Sequence, residues 1–190
     1  HGEDAALLMV DVDHFKRLND EHGMAAGDAM LVEITRLASS TLRPYDLLSR
    51  FGGGVLVVYL PHTDPLGALD VAERIRERVA GLRLAWQGKS VKATISVGVA
   101  TCTPSLKTTP ERLIQEADRA LYQAKRQGRH CHSFFDRSIA EMLDRKAVEK
   151  DVLLTELKTQ LAESADHEAR AITAAKEAEL VGRDDINRLS

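Results

Sequence analysis

Glycine and proline divide this chain in two. All five prolines and eleven of the twelve glycines fall in residues 1–136, whereas residues 137–190 hold only Gly182, no proline and no aromatic residue. Both residue types interrupt helices, so the second stretch reads as one long helix and the first as a folded domain rich in turns. Charge divides at the same place: residues 1–136 carry 17 basic and 17 acidic side chains, residues 137–190 carry 9 and 12. The whole chain of 190 residues has a formal net charge of −3. That balance argues against a protein that holds nucleic acid by charge alone.

Within the first part, Ala5 to Val12 is an almost continuous apolar run ending in acid, the pattern of a central strand buried on both faces. Asp13 to Glu21 reads as a short helix broken at His22-Gly23, and Asp28 to about Ser40 as a second. Leu47 to Phe51 and Val55 to Leu60 form a hairpin around Gly52-Gly53-Gly54. A helix follows from Pro65 to Leu82, then strands at Leu82–Trp86 and Val91–Thr101, a helix from Thr109 to Gln127 and an edge strand at Cys131–Phe135. This order predicts an α+β domain, a central and largely antiparallel sheet flanked by helices in a ferredoxin-like arrangement.

Residues 137–181 place Ile139, Leu143, Ala147, Leu154, Leu157, Leu161 and Ile172 at spacings of three and four, with Lys150, Ser164 and Glu168 interrupting the seam. The reading is a long amphipathic helix, either a coiled coil for dimerisation or linkage or a helix folded back on the domain. Two cysteines, Cys102 and Cys131, point to a reducing cytosol and to small, half-buried apolar roles. The apolar runs are of strand length, far short of the roughly 20 residues of a membrane span, and no signal peptide pattern opens the chain.

Four segments in order resemble the GGDEF family, the diguanylate cyclase domain of bacterial signalling. They are Asp11-Val12-Asp13-His14-Phe15-Lys16 with Asn19-Asp20 and Gly27-Asp28; Arg43-Pro44-Tyr45-Asp46 followed by Arg50-Phe51-Gly52-Gly53; Ile95-Ser96-Val97-Gly98-Val99; and Ala117-Asp118 through Tyr122-Gln123-Ala124-Lys125 to Gly128-Arg129. The resemblance covers about Leu7 to Phe135 and implies the GGDEF fold, akin to adenylate cyclases. Family members join two GTP molecules into cyclic di-GMP across a dimer, a phosphoryl transfer that depends on metal ions and positioning. By resemblance, Asp11 is a Mg²⁺ ligand, Asn19 and Asp28 meet guanine and ribose, and Lys125 with Arg129 hold phosphates. Read from the residues alone, Asp28 serves equally as a helix N-cap, and Lys125 and Arg129 as last-turn cations.

The signature itself departs from the family. Where the family reads Gly-Gly-Asp/Glu-Glu-Phe, this chain reads Gly52-Gly53-Gly54-Val55-Leu56. Gly54 stands for the metal-binding carboxylate and Val55 for the guanine-binding glutamate. Mg²⁺ requires oxygen ligands, so the resemblance implies a lost metal site, no required cofactor and no catalytic residues at 54–56, with Asn19, Asp28, Lys125 and Arg129 a vestigial GTP pocket and Asp11 a vestigial ligand. Met24 also replaces a usual family histidine.

Arg43-x-x-Asp46 is kept, and it resembles the family's inhibitory site for cyclic di-GMP, with Arg74 as the secondary arginine. An arginine fork suits the acceptor edge of guanine or a phosphate, and a carboxylate suits guanine N–H donors. Without the family frame the pair reads as a surface salt bridge. The expectation is a catalytically inactive, cytoplasmic receptor for cyclic di-GMP, a homodimer that signals to a protein partner or neighbouring domain through the C-terminal helix, without nucleic acid or membrane. The competitors are a nucleotide-independent docking scaffold and a weak, GTP-binding pseudo-cyclase.

Overall fold

The computed structural model describes residues 4–103, 108–137, 144, 147–163, 165–166, 170 and 172–174. By contacts the chain separates into two units, His1–Asp136 and Arg137–Ser190. The first is an α+β domain built on a five-stranded sheet of order β2-β3-β1-β6-β7.

β1 (Ala5–Val12) is the central strand. Its residues Ala6 to Val10 are all buried, as an apolar run without alternation requires when both faces are covered. It lies antiparallel to β3 (Val55–Pro61) and to β6 (Ile95–Cys102). β2 (Leu47–Gly52) forms one edge, joined to β3 through the glycine turn with a register shift between Arg50 and Gly52. β7 (His132–Phe134) forms the other edge and pairs parallel to β6, so one strand pair departs from the antiparallel rule.

Helices cover both faces. α1 (Phe15–His22), α2 (Met24–Ser39) and α3 (Pro65–Gly81) bury Leu18, Met30, Ile34, Ile75 and Val79 in the larger core with Leu8, Val10, Val58 and Val97. α4 (Pro110–Arg126) sets Leu113, Ala117 and Leu121 against Leu7 and Met9 on the opposite face. It approaches β6 so closely that a Cβ on Gly98 would stand 2.1 Å from the Ala117 carbonyl oxygen and 2.2 Å from the Leu121 nitrogen. Asp64 caps α3 by accepting from Gly67 N–H at 2.8 Å, and Thr109 caps α4 by accepting from Arg112 N–H at 3.3 Å; proline follows each cap.

Two boundaries differ from those expected from the sequence. α2 begins at Met24 and not at Asp28, because Gly23, at φ 88°, ends α1 and opens the next helix at once, and Met24-Ala25-Ala26 are strong helix formers. Asp28 therefore lies inside the helix and is not its cap. The strand expected at Val91–Thr101 is two: β5 (Lys89–Val91) pairs with β4 (Leu84–Trp86) in a separate hairpin, and β6 starts at Ile95. Between them Thr94 turns its carbonyl to Asp13 N–H at 2.9 Å and carries the chain into the main sheet.

In the second unit, residues 147–163 are helical, with Ala147, Leu154, Leu157 and Leu161 of the expected stripe exposed, as is Ile172. Ile139, Leu143, Ser164, Glu168 and residues 175–181 of that stripe lie outside the described residues. Among the described residues no helix is long and apolar enough to cross a membrane.

Candidate functional site

The turn from Arg43 to Asp46 lies between α2 and β2 and is closed from both sides. Asp46 N–H donates to the Arg43 carbonyl at 3.1 Å, and Arg43 N–H donates to Asp46 Oδ2 at 2.7 Å. Pro44, the second residue of the turn, is preset for it. The carboxylate thus engages backbone, which differs from the side-chain salt bridge that the sequence alone allows. Asp46 Oδ1 is buried without a hydrogen-bond partner. The Arg43 guanidinium lies 6.0 Å from the centre of the Tyr45 ring, with Nη1 3.4 Å from its hydroxyl.

α3 runs alongside this loop. Arg74 Nη2 donates to the Thr41 carbonyl at 3.3 Å while Nη1 stands 3.3 Å from Asp70, and one turn later Arg78 donates to Ser40 Oγ at 2.8 Å. Of the residues singled out in the sequence, Arg43 and Asp46 therefore share one turn, and Arg74 reaches from α3 to the Thr41 carbonyl two residues before it. Such a set can receive a planar ligand that has N–H donors on one edge and acceptors or phosphate on another.

A second group gathers at the end of β1. Asp11 lies between Val55 and Ser96 in the sheet register, and its carboxylate forms an ion pair with the ammonium of Lys125 from the last turn of α4. Gly54 sits against Phe15: a Cβ there would be 3.0 Å from the ring. Val55 packs with the smaller apolar cluster, and Leu56 is buried. Asn19 rests on Gly27 with its buried Oδ1 lacking a partner, Asp28 is exposed on α2, and Met24 is exposed. Arg129, at φ 65°, closes the end of α4 by donating N–H to the Ala124 carbonyl at 3.2 Å.

Mg²⁺ takes an octahedral set of oxygens, whereas the one carboxylate here is already paired with an ammonium and position 54 has no side chain. Among the described residues no three His, Cys, Asp or Glu side chains cluster as a metal site would require.

Two networks behind these sites escaped the sequence reading. Asp13 is buried and accepts from Ser96 Oγ at 2.6 Å, Thr94 Oγ1 at 2.7 Å and His130 N–H at 3.1 Å, tying β1, the start of β6 and the loop after α4 together. It holds the chain where Gly128, Arg129 and His130 all have positive φ. On α3, Glu73 bonds Arg76 at 2.5 and 2.7 Å and meets His132 Nδ1 at 3.2 Å, and Arg76 reaches His130 Nε2 at 2.8 Å. The Arg76 hydrogen bonds hold the Glu73 carboxyl at about 2, well below the usual range, despite an opposing burial effect; the charges of Arg76 and His132 add to the lowering. Burial and the Asp13 charge push the Cys131 thiol up. The only hints in the sequence were an acid closing an apolar strand and a serine inside another.

The fold and the arrangement of these segments match a known family. The model of "Diguanylate cyclase, GGDEF domain" matches residues 1–131, and this chain belongs to the GGDEF family. Among curated relatives, diguanylate cyclase A of Treponema denticola is 38% identical over 128 residues, 67% of this chain and 34% of that protein. The chain thus spans about a third of the length of that relative. Among solved structures, diguanylate cyclase SiaD of Pseudomonas aeruginosa, in complex with its activator SiaC, is 40% identical with a TM-score of 0.67, covering 70% of this chain and 51% of that one. The GGDEF domain of DgcB from Caulobacter crescentus, in complex with c-di-GMP, is 26% identical with a TM-score of 0.65, covering 69% and 77%.

Proposed function

We propose that this chain is a catalytically inactive GGDEF domain that serves as a receptor for cyclic di-GMP through Arg43, Asp46 and Arg74. The observation that carries the reading is the Arg43–Asp46 turn, a preset loop in which Arg43 N–H holds the Asp46 carboxylate while the Arg43 guanidinium stays exposed beside Tyr45. The guanine Watson–Crick edge donates to the Asp46 carboxylate, its Hoogsteen edge or the phosphate takes Arg43, and Arg74 adds charge from α3. That a GGDEF domain can be isolated with c-di-GMP is seen in the DgcB complex.

The inactive state rests on the second group. Gly54 and Val55 bring no side-chain oxygen to the end of β1, and Lys125 pairs with Asp11. Losing one preorganised electrostatic contact costs about 10²–10³ in rate, and two are missing. Asn19, Asp28, Lys125 and Arg129 remain as a vestigial pocket without a required cofactor. Output passes through dimerisation or through residues 137–190 to a protein partner or neighbouring domain in the bacterial cytoplasm.

Calorimetric titration of the purified chain with cyclic di-GMP and with GTP and Mg²⁺ tests the reading. Micromolar or tighter cyclic di-GMP binding without turnover of GTP is the expected result. Binding of neither nucleotide leaves a docking scaffold, and cyclic di-GMP formed from GTP restores an enzyme.

A further inference from the structure

Tyr45 is the one residue of the Arg43–Asp46 turn that points to ligand chemistry and that the reading above leaves unused. The residue is 53% exposed, although burial of a large aromatic side chain is strongly favourable. The turn fixes where the ring stands: Pro44 precedes it, and the two closing hydrogen bonds at 2.7 and 3.1 Å hold the residues on either side. Its partner is a planar cation, the Arg43 guanidinium, 6.0 Å from the ring centre. The next residue of the turn is Asp46, whose carboxylate accepts from Arg43 N–H.

A flat π face and a planar donor fork, on a turn that also carries a carboxylate, are surfaces that one purine base can satisfy together. The face stacks on the ring, the acceptor edge meets the guanidinium, and the N–H edge meets the carboxylate. The geometry points to Tyr45 as a third ligand-contacting residue of this turn, its ring stacked on a guanine of cyclic di-GMP. The inference rests on the receptor reading and adds the residue that holds the base in place. The long 3.4 Å contact from Arg43 to the hydroxyl is secondary, so the ring and not the hydroxyl carries the effect.

The test titrates the full chain with cyclic di-GMP. Stacking on an aromatic side chain is lost on truncation at a cost of about tenfold or more in affinity. Tyr45→Ala is therefore expected to weaken binding by about tenfold or more, and Tyr45→Phe by less than about threefold. In Tyr45→Trp, saturating ligand should quench or shift indole emission beyond any change in the parent chain. Tyr45→Ala binding as tightly as the parent, or a Tyr45→Trp chain that binds with unaltered emission, overturns the role of Tyr45 while leaving the receptor reading intact. A parent chain that binds no cyclic di-GMP overturns the receptor reading itself, and the stacking role with it.

Discussion

The ammonium of Lys125 rests on the carboxylate of Asp11, fastening the last turn of α4 to the end of the central strand. The pair is partly buried, with side-chain exposures of 35% and 18%, which places it between a screened surface pair and a costly interior one. Lys125→Met is expected to lower stability by about 1 kcal/mol, read from urea denaturation. Millimolar MgCl₂ should leave the melting temperature of the parent chain unchanged, since the ammonium already balances the carboxylate; a rise of several degrees would contradict the metal-free account of this pocket.

Asp13 gathers three donors from two other segments. Asp13→Ala strands two hydroxyls and a backbone N–H, at an expected cost of about 3 kcal/mol in chemical denaturation, with Asp13→Asn costing about half as much. Amide exchange should accelerate at Arg129–Cys131 in both variants. A variant as stable as the parent would show that the network is dispensable.

Gly98 allows α4 to lie on β6. Because an added methyl group would meet backbone atoms of Ala117 and Leu121 at 2.1 and 2.2 Å, no side-chain rotation relieves the clash. Gly98→Ala should cost about 3 kcal/mol, and the measured loss should exceed that of Gly81→Ala, where a Cβ meets nothing within 4 Å.

Glu73 confers a pH dependence of known sign. The Arg76 hydrogen bonds hold its carboxyl at about 2, well below the 4.5 of a free glutamate, so the folded state favours the ionised form. The contribution is fully present above about pH 4.5 and is lost as pH falls toward 2. Its side chain is 37% exposed, and solvent screening keeps the effect modest. Stability of Glu73→Gln measured from pH 5 to pH 2 should fall less steeply than that of the parent; identical slopes would contradict the pairing with Arg76.

Much of this fold was legible because local and global signals agreed. Ala5 to Val12 read as a doubly buried strand and is one, and Pro65 and Pro110 mark helix starts that capping by Asp64 and Thr109 completes. The failures came where tertiary contacts decide. Lys92–Thr94 looks like strand by composition, yet the bond from Asp13 N–H to the Thr94 carbonyl ends one sheet and begins another. Asp28 looks like a cap, but Gly23 opens α2 earlier. At the candidate site the spacing of Arg43 and Asp46 was visible, while the backbone bond that turns one Asp46 oxygen inward and leaves the other unpartnered was not. Asp13 and the Glu73–Arg76–His132 group unite residues far apart in the chain, and no local pattern announces them.

The central claim is that this domain reads cyclic di-GMP at the Arg43–Asp46 turn. Calorimetry of the parent chain beside Arg43→Ala, without added metal, tests it most directly. The account predicts saturable binding by the parent, with affinity reduced about tenfold or more in Arg43→Ala, as expected for the loss of a charge-assisted contact. Equal affinity in both chains, or no binding by the parent, would contradict it.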